Sequence, residues 1–173
     1  WSRCGNLLAA VSQDWMCEPF VLGITGLSIK EHQRRTTTNY RILSRMTATY
    51  IMPVLQGYQP EEYVEHLRHY DSGLDHGSWV GVGSVCKRNA SPSSVEVVLR
   101  AIKAERPDLR LHGFGLKRTA LGSPVVNALL HSCDSMAWSY AARREGKDAN
   151  GPREAQRYVN QVATMPVQGM LYP

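Results

Sequence analysis

The sequence lacks the features of membrane proteins and of small secreted proteins. No apolar run approaches the roughly 20 residues that a transmembrane helix needs, and no basic segment followed by an apolar stretch opens the chain. The four cysteines are far apart, and no two have the C-x-x-C spacing of zinc or redox sites. These absences predict a cytoplasmic protein with free, buried thiols, no metal, no cofactor and no membrane partner.

The composition is that of a folded domain. With 173 residues, 43% hydrophobic and 20% charged, the chain is long enough and apolar enough to bury a core. The net charge of +5 fits a polyanionic partner, although many basic proteins of this size bind no nucleic acid. The first residue is Trp1 rather than methionine, so we expect a piece of a longer protein.

Short apolar runs, each followed by a helical pattern, recur five times along the chain. This repetition is typical of βα units and predicts a parallel sheet. The predicted strands are Leu7–Val11, Tyr50–Leu55, Trp79–Val85, Leu109–Phe114 and a fifth that begins near Cys133 and carries Asp134–Trp138. Predicted helices run from Ser28, where Glu31 completes a capping box, to about Met46, from Pro60, from about Ser91, and from Pro152 to about Val162. An apolar segment, Val125–Leu130, precedes the fifth strand.

Units of this kind form either a doubly wound sheet or a (β/α)8 TIM barrel. No G-x-G-x-x-G follows the first strand, and polar residues end every strand rather than gathering at one switch point. Both observations favour the barrel. Because a complete barrel takes about 250 residues, the prediction is a single partial TIM-barrel domain over residues 1–173, with about five units present and the N-terminal units missing.

In a barrel the carboxyl ends of the strands meet at one mouth. The residues expected there are Asp14, Gln56, Gly57, Gly83, Ser84, His112, Gly113 and Asp134. Two carboxylates, a carboxamide and a glycine-lined wall suit a planar base, because amide and carboxylate groups read donor and acceptor edges while a second carboxylate attacks carbon.

Each of these residues also has a purely structural interpretation. An aspartate at a strand end often caps a helix or joins an ion pair, and Gln56-Gly57 alone describes a turn. His112 is then a core histidine bonded to a backbone carbonyl. Gly81 and Gly83 would only allow a helix to pack closely, since a lone G-x-G is weak evidence for a phosphate site. The coincidence at five strand ends favours a functional site.

The order of these motifs resembles the tRNA-guanine transglycosylase superfamily from about Ser12 to Arg143. The matching segments are Ser12–Pro19, Pro53–Gly57, Val80–Val85, Leu111–Gly115 and Cys133–Met136. Ser84 replaces the second glycine of the family's glycine-glycine-leucine wall, and His112 stands where the family usually has methionine. Four segments most closely resemble the bacterial and phage branch that places 7-deazapurines in DNA. They are Gln13–Pro19, Glu31–Thr36, Val82–Cys86 and Asp134–Ser139.

The resemblance implies a base-exchange transglycosylase. Asp134 would attack C1′ of the nucleoside, expel guanine and hold a covalent intermediate, which a 7-deazaguanine such as preQ0 or preQ1 resolves. Asp14 and Gln56 would read the base edge, Gly83 and Ser84 would line it, and His112 or Met136 would pack on its face. DNA is the favoured substrate and tRNA remains open, as does a homodimer. Lys87, Arg88, Arg143 and Arg144 would contact the phosphate backbone, with solvated surface charge as the alternative.

Two family features are absent from the sequence. No Asp-Ser-Gly-Gly motif carries a second catalytic aspartate, and no C-x-C-x-x-C zinc motif follows Asp134. The sequence is therefore also compatible with a chain that is inactive on its own. The competing hypotheses are a non-catalytic nucleic-acid-binding subunit of a transglycosylase and, less favoured, a barrel glycosidase that uses Asp14 and Asp134 as its carboxylate pair.

Overall fold

The structure, a computed structural model, describes residues 5–70, 73–86 and 91–165. The strands in these ranges are β1 (Ala9–Val11), β2 (Tyr50–Met52), β3 (Val54–Leu55), β4 (Trp79–Val82), β5 (Arg110–Gly113) and β6 (Leu130–Cys133). The helices are α1 (Pro19–Thr25), α2 (Ile29–Met46), α3 (Pro60–His69), α4 (Pro92–Glu105), α5 (Arg118–Leu121), α6 (Pro124–Leu129), α7 (Ala137–Arg144) and α8 (Pro152–Ala163).

All paired strands are parallel, and they follow one another in sequence order. β1 pairs with β2, and β3, β4, β5 and β6 form a second sheet in that order. Between β2 and β3 lies Pro53, which has no N–H to donate to a ladder, although its carbonyl still accepts from Gly81 N at 2.8 Å. The predicted α/β class with a parallel sheet is confirmed, whereas the barrel stays a prediction.

Helix starts follow the local chemistry of the sequence. The Ser28 hydroxyl accepts from the backbone N–H of Glu31 at 3.2 Å, and proline occupies the first turn of α3, α4 and α8. At the start of α3, the Glu62 carboxylate accepts from the backbone N–H of Gln59 at 2.7 Å. The four predicted helices therefore begin at or next to the expected residues. None of the helices in the described ranges is long and apolar enough to span a membrane.

The hydrophobic core lies between the four-stranded sheet and the helices α3 and α4. Leu55, Val80, Val82 and Leu111 supply the sheet side, and all four are fully buried. Tyr63 and Leu67 come from α3, and Val95, Val98, Leu99 and Ile102 come from α4 at the helical spacing of one face. This packing fixes the strand ends that carry the candidate site.

The prediction for the fifth strand is wrong in position. Residues 130–133 form β6, Asp134 follows the strand, and α7 begins at Ala137, where the prediction continued the strand to Trp138. The apolar segment predicted over Val125–Leu130 is largely the short helix α6, which starts where Ser123 Oγ accepts from Val126 N at 3.3 Å. In residues 130–133, partly buried and exposed side chains alternate, as in a strand with one covered face. The apolar content of the sequence alone does not distinguish this strand from the neighbouring helices.

Other boundaries are shorter than predicted. The strand predicted over Tyr50–Leu55 divides at Pro53, and the three other strands lose one to three residues at their ends. The helix α1 was not predicted, because a glycine and a threonine among seven residues give it little helical signal. Past the end of β4, Ser84 takes a positive φ of 55°, which removes the chain from the ladder before Val85.

Candidate functional site

Gln56 is the centre of a hydrogen-bonded group at the carboxyl ends of three strands. Its fully buried carboxamide donates from Nε2 to Asp14, which follows β1, and its Oε1 accepts from the Ser84 hydroxyl at 2.6 Å. We call Asp14, Gln56, Gly83 and Ser84 the Gln56 cluster. The predicted convergence of these strand ends is confirmed by these contacts.

The glycines in and beside the Gln56 cluster allow close packing. A Cβ atom at Gly83 would overlap the Gln56 carboxamide, and one at Gly57 would lie 2.9 Å from the Tyr63 ring. The carbonyl of Gly83 accepts from the Tyr63 hydroxyl at 2.8 Å, which ties the end of β4 to α3. By contrast, Gly81 packs on the Phe114 ring. Gly83 thus leaves room for a site side chain, whereas Gly81 serves the packing between strands.

The backbone of Gln56 is fixed from two helices. Its N–H donates to Nδ1 of His66 at 2.8 Å, and its carbonyl accepts from the Gln33 side chain at 2.8 Å. Burial lowers the pKa of His66 to about 3, so the imidazole is neutral. Since Nδ1 accepts, the ring proton lies on Nε2, which faces the Gln33 carbonyl at 3.1 Å.

A polar face of α2 holds the loop that carries Asp14. Asn39 donates to the carbonyl of Gln13 at 3.0 Å, the Thr36 hydroxyl accepts from Trp15 N at 2.8 Å, and His32 Nδ1 lies 2.7 Å from the carbonyl of Met16. His32 and Thr36 are fully buried.

Sequence reasoning did not assign a role to these α2 residues. Their signal is a helix that presents polar residues at positions 32, 33, 36 and 37, all of them buried in the structure. Buried polar groups need partners, so such a face indicates contacts with backbone groups of a neighbouring loop.

Burial governs the electrostatics of Asp14. Removal from water raises the pKa of this carboxyl above its ordinary value, and the hydrogen bond from Gln56 works in the opposite direction by stabilising the ionised form. Gln56 is fully buried while Asp14 is partly exposed. Asp14 is therefore the member of this pair that faces solvent, with Gln56 behind it.

Asp134 lies at the end of β6 and differs from Asp14 in its surroundings. Its side chain is 58% exposed, and Oδ1 accepts from the backbone N–H of Gly115 at 2.6 Å. Its own N–H donates to the carbonyl of Gly113 at 3.3 Å. One carboxylate oxygen is thus anchored to the neighbouring strand end while the group as a whole faces solvent.

His112 is held between neighbouring rings beside Asp134. The Ser132 hydroxyl accepts from Trp79 Nε1 at 2.9 Å and lies 2.9 Å from His112 Nδ1. The other ring nitrogen of His112, Nε2, is 4.0 Å from Asp134 Oδ1. Burial lowers the pKa of His112, and Asp134 partly opposes this. The partner of His112 is therefore a hydroxyl, and the backbone carbonyl proposed from sequence is not its partner.

The remaining predicted residues lie apart from these contacts. Met136 is 64% exposed at the start of α7, and Arg143 and Arg144 are exposed in its last turn. Lys87 and Arg88 lie outside the described residues. A cavity of about 390 Å³ adjoins Asp134; α8 supplies half of its lining residues, Tyr158 among them, and α7 contributes Trp138.

The described cysteines, Cys17, Cys86 and Cys133, form no disulfide. Burial raises the pKa of Cys17 to about 12, whereas Cys133 is exposed, so the prediction of buried thiols is wrong for Cys133. Within residues 5–70, 73–86 and 91–165, no three His, Cys, Asp or Glu side chains are placed to hold a metal ion.

The described contacts leave two groups of residues at the carboxyl ends of the parallel strands. The Gln56 cluster occupies the ends of β1, β3 and β4, and Asp134 with His112 occupies the ends of β5 and β6. A protein-family model, DpdA, described as deoxypurine in DNA protein A, matches residues 2–156 and so spans both groups. The chain belongs to the DpdA family.

DpdA is a tRNA-guanine transglycosylase-like family of 7-deazapurine DNA modification, so the resemblance drawn from the motifs is confirmed. Membership implies a role in this modification, with DNA as substrate and a 7-deazapurine as the base. No curated protein matches the chain.

Proposed function

We propose that this chain carries the base-exchange site of a DNA guanine transglycosylase. The observation that carries the proposal is the arrangement at the carboxyl ends of the strands: the buried Gln56 carboxamide bonded to Asp14 at one part and an exposed, anchored carboxylate, Asp134, at another. The first suits recognition of a base edge and the second suits attack on a sugar carbon. The sequence-ordered parallel strands support a section of a (β/α) barrel, with residues 1–173 as one partial domain.

In the first step, an oxygen of the Asp134 carboxylate attacks C1′ of the target nucleotide and the C1′–N9 bond breaks. Guanine leaves and takes up one proton, and an ester joins Asp134 to the sugar. In the second step a 7-deazaguanine, such as preQ0 or preQ1, gives up one proton and attacks C1′, which releases the carboxylate. The hydrogen bond from Gly115 N to Oδ1 stabilises the carboxylate each time it is free.

Recognition of the base falls to Asp14 with Gln56 behind it. An ionised carboxylate accepts from the N1–H and the 2-amino group of guanine and of 7-deazaguanines, whereas adenine offers an acceptor at N1. Gly83 gives the Gln56 carboxamide its space, and exposed Met136 supplies an apolar surface for the face of the base. Reaching this edge requires the target base to leave its stack, which costs a few kcal/mol.

The contact between Asp14 and Gln56 also bears on the glycosidase alternative. A glycosidase pair needs one carboxyl group free to protonate a leaving oxygen. Asp14 instead accepts from the carboxamide of Gln56, which supports reading of a base edge.

The proposal is tested with the full-length protein and Asp134→Asn. We expect the wild type to release labelled guanine from DNA in the presence of a 7-deazaguanine and to form a covalent protein–DNA adduct. Asp134→Asn should lose both, while Asp75→Asn, an exposed aspartate in the turn before β4, should retain them. Exchange that persists in Asp134→Asn would remove the mechanism. Binding of DNA without exchange by the wild type would favour the non-catalytic subunit, and a parallel assay on tRNA separates the two nucleic acids.

Arg143 and Arg144 are proposed to contact the phosphate backbone. Each contact that is lost should reduce the slope of log affinity against log salt by about 1. Arg100→Ala, an exposed arginine on α4, is the control and should leave the slope unchanged. An unchanged slope in Arg143→Ala and Arg144→Ala would contradict the contact.

A further inference from the structure

Ser84 is the one residue other than glycine with a positive φ among those that the structure describes. At φ 55° a side chain is strained, because Cβ crowds the following carbonyl. Glycine would avoid this strain, as at the five glycines with positive φ in the same ranges. A serine kept in this conformation suggests that its hydroxyl has a role that glycine cannot fill.

The hydrogen bonds of Ser84 define what that hydroxyl does. Its Oγ accepts from the backbone N–H of Cys17 at 3.0 Å, since that N–H can only donate. Its single proton is then directed to Oε1 of Gln56 at 2.6 Å. Ser84 is 5% exposed, so the hydroxyl is occupied by protein groups and faces little solvent.

This contact fixes which end of the Gln56 carboxamide faces Asp14. With Oε1 bound to Ser84, the N–H group points to the Asp14 carboxylate. In the reversed orientation, Oε1 would meet the carboxylate, and the pair would need a proton on Asp14 to avoid repulsion between oxygens.

We propose that Ser84 is a positioning residue for base selection: through Gln56 it keeps Asp14 an ionised acceptor for the N–H groups of a guanine-type edge. This inference rests on the proposed function and gives Ser84 a role different from direct lining of the base. Without the hydroxyl, the carboxamide is free to reverse, and Asp14 holds a proton to higher pH. Affinity for guanine then falls, because a protonated carboxyl accepts from fewer donors.

Three of the titratable groups around Asp14, which are Cys17, Tyr70 and His66, stay neutral between pH 5 and 8. Burial raises the pKa of Cys17, in the same loop, to about 12, and the pKa of Tyr70, at the end of α3, is also raised by burial. His66 on α3 is neutral, because burial lowers its pKa to about 3. Glu62 on α3 accepts from the backbone N–H groups of Tyr58 and Gln59 at 2.6 and 2.7 Å.

On the side of α2, Arg35 pairs with Glu31 at 2.7 Å and lies over the Trp15 ring, 4.5 Å from its centroid. The charge of Arg35 is thus already engaged by the Glu31 carboxylate.

The test uses full-length protein and measures binding of guanine, a 7-deazaguanine and adenine between pH 5 and 8. Ser84→Ala removes the hydroxyl and keeps the strain, whereas Ser84→Gly removes both. We expect both variants to bind guanine roughly three- to tenfold more weakly at neutral pH. We also expect the acid-side loss of affinity to move to higher pH and the preference over adenine to fall. Gln56→Glu should move the acid limb in the same direction and further.

The matched control is Ser12→Ala, two residues before Asp14. Ser12 is 1% exposed and its hydroxyl has no partner among the described residues, so its removal should leave the pH profile unchanged. Wild-type affinity and pH profile in Ser84→Gly and Ser84→Ala would overturn the role of Ser84 alone. Failure of the wild type to bind guanine or a 7-deazaguanine would instead overturn the proposed function. If Ser84→Ala fails to fold, Ser84→Gly decides the outcome.

Discussion

The Gln56 cluster and the site around Asp134, both at strand ends, are built in opposite ways. The Gln56 carboxamide is fully buried and bonded at both ends, and its backbone is held by His66 and Gln33. The Asp134 carboxylate is 58% exposed, and the structure anchors one of its oxygens to a backbone N–H. Recognition of a base edge gains from groups fixed in advance, whereas a nucleophile must be reached by a large polymer. The difference fits the proposal that the Gln56 cluster recognises the base and that Asp134, at a neighbouring strand end, carries out the chemistry.

The largest effect is expected when the Gln56 side chain is removed, and removal of the Asp134 side chain provides the comparison. Gln56→Ala should lower the free energy of unfolding by about 3 kcal/mol, because it leaves a cavity and removes partners from buried polar groups. Asp134→Ala should cost about 1 kcal/mol or less, since the side chain is mostly in water. Urea titrations of both variants measure the difference. Equal losses would contradict the division between the two groups.

A smaller effect is expected from Gly83→Ala. The added methyl group overlaps the Gln56 carboxamide and should displace it, at a cost of about 2 kcal/mol and with loss of base binding. Gly23→Ala is the control: nothing lies within 4 Å of its Cβ position in the helix α1, so stability should stay equal or rise slightly. Thermal unfolding and a base-binding titration provide the readout. Retained binding in Gly83→Ala would show that the close fit is not needed.

The last prediction sharpens the comparison through pH. Because the pKa of His66 is about 3 in the folded chain and 6.5 is its ordinary value, the unfolded chain binds more protons between these values. His66 therefore makes stability rise with pH across this window, and its contribution is lost as the pH falls. His66→Asn keeps an acceptor for Gln56 N and should flatten this dependence, measured by unfolding at pH 4 and 7. Exposed His76→Asn should not, and an unchanged slope in His66→Asn would refute the assignment.

Local chemistry made much of the fold predictable. Ser28, Pro60 and Pro152 mark helix starts because capping and the fixed φ of proline act within a few residues. The parallel strand ends that carry Asp14 and Gln56 were predictable for the same reason, since apolar runs followed by polar residues repeat along the sequence.

Other parts of the structure depend on tertiary contacts that no local pattern contains. Residues 134–138 were assigned to a strand because Met136, Ala137 and Trp138 are apolar, and the position of β6 is set by its pairing with β5. The direction of the Ser84 hydroxyl depends on Cys17 and Gln56, which are 67 and 28 residues away along the chain.

The polar inner face of α2 has a consequence for folding. Apolar faces tolerate a helix that docks a step out of register, because one methyl group replaces another at little cost. The contacts of His32, Thr36 and Asn39 with single backbone groups allow no such exchange, since each shifted position leaves buried donors and acceptors unpaired. We expect α2 to dock in a single all-or-none step that orders residues 13–16 at the same time, so their amide protons should exchange together with those of the helix.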